Sequence, residues 1–568
     1  LTEVIDHDVL VLGSGLAGLR AAIEAARTSQ LNVAVISKLH AMRSHSVSPE
    51  GGAAAVLENP EDSFETHERD TILGSDFLAD QDVVEYYIRL FPREILQLEH
   101  WGCPWSRDGE GKLLRRRFGA HGTPRTFFAG DRTGFNLMKT LYDTALKNDV
   151  HVYHEFFVTS LLIQNQQFKG LTAINRENGE NAFFRAKSVI VATGGGGRLY
   201  KFCSYAHTVT GDGIAMAYRA GLPLKDMEFV QFLPTCMITS GIPATEAMRG
   251  DGAQLFNRHG ERFMKRYAPS MMELAARDIV DRAIMREILD GNGYPGPDGL
   301  DYVLLDARPV GEQRIKDIYQ TFRENAINFQ GLDPLKDLIP IRPAAHYTMG
   351  GIHVDPFLRT PVKGLWAAGE VACVSFNGAN RLGSNSLPFC LASGAVAGSF
   401  AAKFARESSE FPQVEKSSYE KEEANLSQLL KREDDGTDVY ELKSALQATM
   451  EENVHIFRNE NGLKRALSAL QKLQQDFQSI KISDKSSSYN NEFFHALELS
   501  FMLDVSITIA YSALARTESR GAHFRTDYPN RDDVNWLKHT IINHDEPKPH
   551  IEYLPVRITK VQPAERKY

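Results

Sequence analysis

The pattern of apolar and polar positions changes period twice within the first forty residues. Asp8 to Leu12 is a short β-rich run, Gly13 to Gly18 is a glycine turn, Leu19 to Arg27 favours helix, and Val33 to Ile36 is a second apolar run. That order predicts a βαβ opening. A second apolar run, Ser188-Val189-Ile190-Val191-Ala192-Thr193, leads into four glycines, Gly194 to Gly197, and a third passage, Gly364-Leu365-Trp366-Ala367-Ala368-Gly369-Glu370, again runs from strand into glycine and an acid. Three such passages predict an α/β fold in which one Rossmann-like nucleotide-binding domain is assembled discontinuously, from residues 1–235 and 346–405.

Residues 236–345 carry their own helical stretches and turn signals, Gly291-Asn292-Gly293 and Pro295-Gly296-Pro297, and are expected to form an inserted α+β domain capping the cofactor. After about Arg406 the chain turns charged and helical. Leu463, Leu467, Leu470 and Phe477 make one helical stripe there, better explained by a helical domain (406–517) packing on itself than by a partner-binding groove. From about residue 518 short segments with turn signals such as Asp527-Tyr528-Pro529 predict a small C-terminal domain, 518–568.

Composition narrows the class without changing this picture. A chain of 568 residues, 42% hydrophobic and 24% charged, is globular and long enough for several cores. Net charge is −9, and the only dense basic cluster is Arg115, Arg116 and Arg117, so no nucleic-acid footprint is expected. The apolar runs, such as Val189 to Thr193, read as far short of a membrane span, so any membrane association is expected to come through a partner. Five scattered cysteines lack C-x-x-C spacing and predict reduced thiols, with no zinc or iron–sulfur site. The chain enters a strand almost at once after Leu1 with no signal-peptide pattern, and its lack of an initial Met leads us to expect a missing upstream segment.

Gly13-Ser14-Gly15-Leu16-Ala17-Gly18 matches G-x-G-x-x-G directly after a strand and at the start of a helix. Gly13 permits the tight turn, Gly15 lets a pyrophosphate approach the backbone, and Gly18 lets helix and strand pack closely. The free N–H groups and positive dipole of the helix end then face phosphate. The second strand ends at Ser37-Lys38 instead of the acid that usually binds ribose hydroxyls, which counts against a plain NAD enzyme. Gly194 to Gly197 and Gly369-Glu370 offer further close-approach points suited to a flavin.

Met42-Arg43-Ser44-His45-Ser46-Val47 followed by Glu50-Gly51-Gly52-Ala53-Ala54 resembles the flavin-attachment segment of the fumarate reductase and succinate dehydrogenase flavoproteins. The resemblance runs colinearly through Trp101 to Trp105, Ala129 to Gly134, Thr210 to Gly213, Met227 to Phe232, His346 to Gly351, Gly378 to Leu387 and Glu518 to His523. It implies FAD bonded covalently to His45. It further implies that Gly13, Gly15, Gly18, Ser37, Lys38, Ser44, Glu50, Gly51, Gly52, Thr193, Gly194, Asp212, Glu370, Arg381, Ser384, Ser386 and Leu387 surround the cofactor.

A dicarboxylate needs fixed donors, and the planar fork of Arg matches a carboxylate, which makes Arg381 the candidate clamp. The resemblance adds His346 and Thr245, and assigns proton delivery to Arg277 with Glu246 and Arg249 as the relay. A search from chemistry alone would have nominated a His or Glu. Two positions depart from the family pattern: Leu233 stands where a His is usual after Val-Gln-Phe, and Asn377 replaces the His before Gly-Ala-Asn-Arg. Losing one charge-assisted donor would weaken substrate binding by about 1.5–3 kcal/mol. Glu50, where the dehydrogenases carry Gln, points modestly to the reductase branch.

The resemblance implies fumarate and succinate as substrates, an iron–sulfur subunit and a membrane anchor with a quinone site as partners, and a peripheral place on the cytoplasmic face of the membrane. Two other readings are a soluble L-aspartate oxidase, which lacks the flavin-linking histidine, and a catalytically altered member. The latter would serve electron transfer or assembly, or act on another unsaturated dicarboxylate.

Overall fold

The computed structural model describes residues 3–27, 31–57, 60–432, 436–545 and 547–566; the chain start at Leu1 lies outside them. The opening βαβ unit is present as Glu3–Leu12, Leu16–Arg27 and Val33–Ile36. The helix begins three residues earlier than the sequence pattern suggested, inside the glycine motif. Gly13, Ser14 and Gly15 suffice to turn the chain, so Leu16, Ala17 and Gly18 already form the first helical turn.

Val33–Ile36 and Asn181–Val191 flank Glu3–Leu12 in parallel, with Val9 opposite both Val33 and Ser188. His151–Tyr153 extends the sheet beyond Val33–Ile36. The long strand Asn181–Val191 is shared on its other side: its first half pairs antiparallel with Gln167–Asn175, and its last residues pair in parallel with Leu365–Ala367. Val9 to Leu12, Val33 to Ile36 and Val189 to Val191 are all essentially inaccessible, as near-continuous apolar runs buried on both faces require. Because these strands are parallel, their carboxyl ends emerge at one edge. Gly13, Ser37, Thr193 and Gly369 are thereby brought together from positions far apart in sequence, at the crevice where open α/β sheets bind ligands.

A second, antiparallel sheet orders Val230–Met237, Ile339–Thr348, Val303–Asp306 and Gln254–Phe256. With the helix Arg277–Leu289 it encloses a separate apolar core that includes Met248, Leu255, Val280, Ile284, Leu305 and Ile341. Its two longest strands run across residues 235/236 and 345/346, so the capping region is joined to the nucleotide-binding region through continuous strands. Near the chain's end Lys538–Asn543 pairs with Leu224–Lys225 on one side and His550–Pro555 on the other, so a five-stranded sheet joins two C-terminal strands to three from the middle of the chain.

Glu460–Phe477 buries Leu463, Leu467 and Leu470 against Asn491–Ala515 and Val439–Asn453, a bundle packing on itself. Each of these three helices is capped by a side chain accepting from its first turn: Asp438, Asn459 and Asn490. One expectation needs correction. Ser386–Glu407 and Asn491–Ala515, at 22 and 25 residues, are long and apolar enough to cross a membrane, contrary to the reading of short apolar runs. Their most apolar stretches are 72% and 83% buried within the protein, so packing accounts for their composition. The Arg115–Arg117 cluster is likewise partly internal, since Arg116 is buried and donates to the carbonyls of Glu50 and Gly51.

Candidate active site

Two clefts meet at the carboxyl edge of the parallel sheet, sharing Leu16, His45, Ser46, Glu370 and Cys390 as walls. They enclose about 1030 and 970 Å³ of atom-free space, part of it open to solvent. The first is the nucleotide end. Gly13 has φ +109°, and a Cβ there would lie 2.3 Å from the Ala192 carbonyl oxygen. Gly18 faces away from the cleft: its missing Cβ would stand 1.9 Å from Gly13 O, the helix–strand contact expected of the third glycine. No acid occupies the first turn of Leu16–Arg27, so the helix end keeps its positive potential.

Ser37 donates to or accepts from Ser14 across 2.7 Å at this end. Lys38 is less free than the sequence implies. Its Nζ donates to Asp212 Oδ2 and Glu498 Oε1, both at 2.8 Å, and to Thr210 Oγ1 at 3.0 Å. Burial opposes its charge, but the two carboxylates outweigh burial and raise its pKa. Lys38 and Asp212 border the cleft as an ion pair, and Glu498, the second carboxylate on Lys38, comes from the helical bundle and was not legible as a partner.

His45 stands where the clefts join. Its Nδ1 accepts from the Ala206 N–H at 3.3 Å, leaving Nε2 as the other ring nitrogen. Burial, aided by the Arg198 charge, lowers its pKa to about 4, so the imidazole is neutral. Glu370 Oε1 accepts from Thr348 N at 2.9 Å and from the Tyr205 hydroxyl in a short hydrogen bond. Burial raises the Glu370 pKa to about 7.

The second cleft is the acid end. Glu246 opens the short helix Glu246–Gly250, and Arg277 opens Arg277–Leu289, which packs on the strands Val230–Met237 and Ile339–Thr348. Arg277 Nε and Nη2 approach Glu246 Oε2 at 2.8 and 2.7 Å, and Arg277 Nη1 donates to Gln231 Oε1 at 3.0 Å. Arg249 lies behind Glu246, 3.6 Å from Oε1, and does not reach the cleft itself. Burial alone would raise the Glu246 pKa, but Arg277, Arg249 and Arg381 outweigh it and hold the carboxyl below its ordinary range. Arg381 lies 4.6 Å from the centre of the Tyr347 ring, and its Nε has no hydrogen-bond partner among the described residues. Burial and the neighbouring Arg277 charge lower its pKa to about 10, so it remains a cation. His346 Nδ1 is 2.7 Å from Ser204 Oγ, and burial with Arg277 and Arg381 holds it neutral. Thr245, Gly51, Gly52, Ser384, Ser386 and Leu387 complete the wall.

This cleft can therefore hold an anion with Arg381 and the Thr245 hydroxyl while presenting a guanidinium hydrogen-bonded to a carboxylate. Leu233 also lines it and packs with Phe202, Cys236 and Ala344 in a small apolar cluster. Asn377 is buried outside both clefts. Ser44 lines the nucleotide cleft, where its Oγ accepts from Ser46 N, and Glu50 lines the acid cleft. Gln231, Ser204, Tyr205 and Tyr347 belong to the site but were not singled out. Gln231 and Tyr347 lay inside recognisable motifs, whereas Ser204 and Tyr205 carried no local signal.

Residues 8–387 match the family described as FAD binding domain, and residues 443–568 match the one described as fumarate reductase flavoprotein C-term. The fumarate reductase flavoprotein subunit of Haemophilus influenzae is 42% identical over 580 residues, covering 100% of this chain and 97% of that protein. The chain belongs to the fumarate reductase and succinate dehydrogenase flavoprotein family. Another relative, the succinate dehydrogenase flavoprotein subunit of Rickettsia conorii, is 41% identical over 595 residues, covering 100% of this chain and 99% of that one. Among solved structures, a variant of the E. coli quinol fumarate reductase superposes with a TM-score of 0.95 at 40% identity, covering 100% and 99% of the two chains. Mycobacterium smegmatis Sdh1 gives 0.87 at 35%, covering 99% and 96%.

As a member of this flavoprotein family the chain binds FAD, and the clefts fit that group. Gly194, at φ +78°, borders the nucleotide cleft with nothing within 4 Å of where a Cβ would stand. Thr193 Oγ1 beside it, and Glu50 Oε2 at the acid end, are buried without a hydrogen-bond partner among the described residues. Gly15 and the positive end of the helix Leu16–Arg27 border the same cleft, the setting a diphosphate requires.

Proposed function

We propose that this chain is the catalytic flavoprotein subunit of a membrane-associated quinol:fumarate reductase or succinate:quinone dehydrogenase, interconverting fumarate and succinate. The observation that carries this reading is the cluster at the acid cleft, with Arg277 bonded to Glu246 beside Arg381, His346 and Thr245. Arg381, His346 and Thr245 bind and orient the substrate's carboxylates. FAD, when bound, exchanges a hydride with one carbon of the substrate's central bond. Arg277 delivers a proton to the other carbon in the reductive direction, and its contact with Glu246 provides the route for recovering that proton. Arg249 holds Glu246 ionised from behind. Arg is strongly basic, so a desolvated site with an adjacent carboxylate is what makes the role chemically workable.

The same reading attaches the flavin to His45, whose neutral ring with Nδ1 engaged suits bonding through Nε2. An iron–sulfur subunit and a membrane anchor with a quinone site would carry electrons onward, with this chain peripheral on the cytoplasmic face. The relatives include both fumarate reductase and succinate dehydrogenase subunits; Glu50 favours reduction as the working direction.

The test is succinate oxidation and fumarate reduction by the purified protein with artificial electron carriers, with acid precipitation to detect flavin that stays on the chain. Turnover that disappears in Arg277→Ala, with flavin retained, supports the assignment. Retained flavin with no turnover of either acid would instead favour a non-catalytic or altered-substrate subunit, the reading that Leu233 motivates.

A further inference from the structure

His121 lies outside the flavin and substrate residues described above, yet it is tied to them by a fixed chain of hydrogen bonds. It is 4% exposed, in the segment that also contributes Phe118 to the acid cleft and the 1% exposed Arg125. Arg125 uses all five of its N–H groups. Nε and Nη2 donate to Asp62 at 2.9 and 2.7 Å, Nη2 also to Thr123 Oγ1 at 2.9 Å, and Nη1 to Asp70 Oδ2 at 2.6 Å and His121 Nδ1 at 3.0 Å.

A guanidinium has no acceptor, so His121 Nδ1 must accept. The ring proton therefore sits on Nε2, which donates to Gly383 O at 2.8 Å. Protonating Nδ1 would set it against an N–H that has nowhere else to point. Burial and the Arg125 charge accordingly lower the His121 pKa to about 4.

Gly383 is the second residue after Arg381. A Cβ on Gly383 would stand 3.0 Å from Glu246 Oε2, so this loop touches the relay as well as carrying the clamp. Ser384 follows at φ +58°, with its carbonyl accepting from Ala54 N at 3.0 Å and its hydroxyl 2.8 Å from Thr126 Oγ1. A non-glycine residue in this region of φ needs its surroundings to hold it there.

We propose that His121 is a positioning residue of the substrate site: it links the Asp62–Arg125–Asp70 ion cluster to the Gly383 carbonyl and so fixes Arg381 relative to Glu246. This rests on the reading of Arg381 as the carboxylate clamp. His121 touches neither substrate nor flavin.

Three variants of the flavin-loaded protein separate this role from simple core filling. His121→Met fills the volume without polar atoms. His121→Asn can still accept from Arg125 but is too short for Gly383, and His121→Gln can reach both. The readouts are KM and kcat for fumarate, and binding of malonate measured by its perturbation of the flavin absorption spectrum.

We expect the Met and Asn variants to bind malonate about tenfold more weakly and to raise KM similarly, with flavin content and Tm near wild type. The Gln variant should stay within about threefold of wild type. Wild-type malonate affinity in the Met or Asn variant would overturn the proposal. So would equal losses of binding, flavin and Tm in all three, which would mark a packing role alone. If Met fails to fold, Asn against Gln decides. Wild-type protein that neither turns over fumarate nor binds malonate would refute the clamp reading first, and this inference with it.

Discussion

Replacing Glu50 with Gln exchanges one buried oxygen for an amide at the edge of the acid cleft. Burial, reinforced by the nearby negative charge of Asp131, raises the Glu50 pKa to about 8 despite Arg116. The Arg116 guanidinium donates through Nε and Nη2 to the carbonyls of Gly51 and Glu50, not to the carboxylate. At pH 7 a group with that pKa is roughly 90% protonated and therefore close to a glutamine in charge. Glu50→Gln should thus leave turnover within about twofold of wild type near pH 6 to 7 and diverge only above about pH 8.

Stability gives a second readout with a definite sign. An acid whose folded-state pKa lies above its unfolded value subtracts stability. Below about pH 4.5 both states hold the proton and nothing is lost; the loss grows up to about pH 8 and is constant above it. The full gap corresponds to a ceiling on the order of 5 kcal/mol, lowered by water reaching the side chain from the cleft. Thermal unfolding and steady-state rates of both flavin-loaded proteins, measured from about pH 5 to about pH 9.5, check this. The variant should gain stability over wild type as pH rises. A variant already different in rate at pH 6, or one whose stability advantage shrinks with rising pH, would refute the picture of a neutral Glu50.

Arg277→Lys keeps the charge but not the two-pronged contact with Glu246 and the bond to Gln231, so kcat should fall by about 100-fold or more with KM little changed. Leu233→His restores a donor on the cleft wall and should lower KM for fumarate by about tenfold. An unchanged KM would show that the remaining donors already satisfy the substrate. Arg566 Nη2 approaches Asp278 Oδ2 at 2.7 Å and Asp76 Oδ2 at 3.0 Å, joining the helix that starts at Arg277 to the nucleotide-binding region. Arg566→Ala should cost about 1–3 kcal/mol and speed proteolysis within residues 238–338; an unchanged cleavage rate would show that Arg282 holds Asp278 without it.

Local chemistry accounts for what was legible. The glycine motif at Gly13 could be placed because a strand, a tight turn and a helix follow one another within one stretch of chain. The stripe from Leu463 to Phe477 could be placed because helical period alone puts Leu463, Leu467 and Leu470 on one face. The apolar helix Asn491–Ala515 was misjudged because isolated Glu and Asp residues break its runs. Burial had to show that Glu498, 8% exposed, is tolerated through its ion pair with Lys38.

By itself, then, the sequence determined the α/β class, the nucleotide turn, and the candidates Arg277, Glu246, Arg381, His346 and His45, because each rests on a local period or a recognisable run of neighbours. Tertiary structure alone decided their partners. Lys38 with Glu498, Tyr205 with Glu370, Ser204 with His346, and His121 with Gly383 are pairs separated by 460, 165, 142 and 262 residues. No local period encodes such a pair. Only the packing of strands and helices sets which buried donor finds which acceptor, and that packing turns separate candidate residues into a site with defined charge.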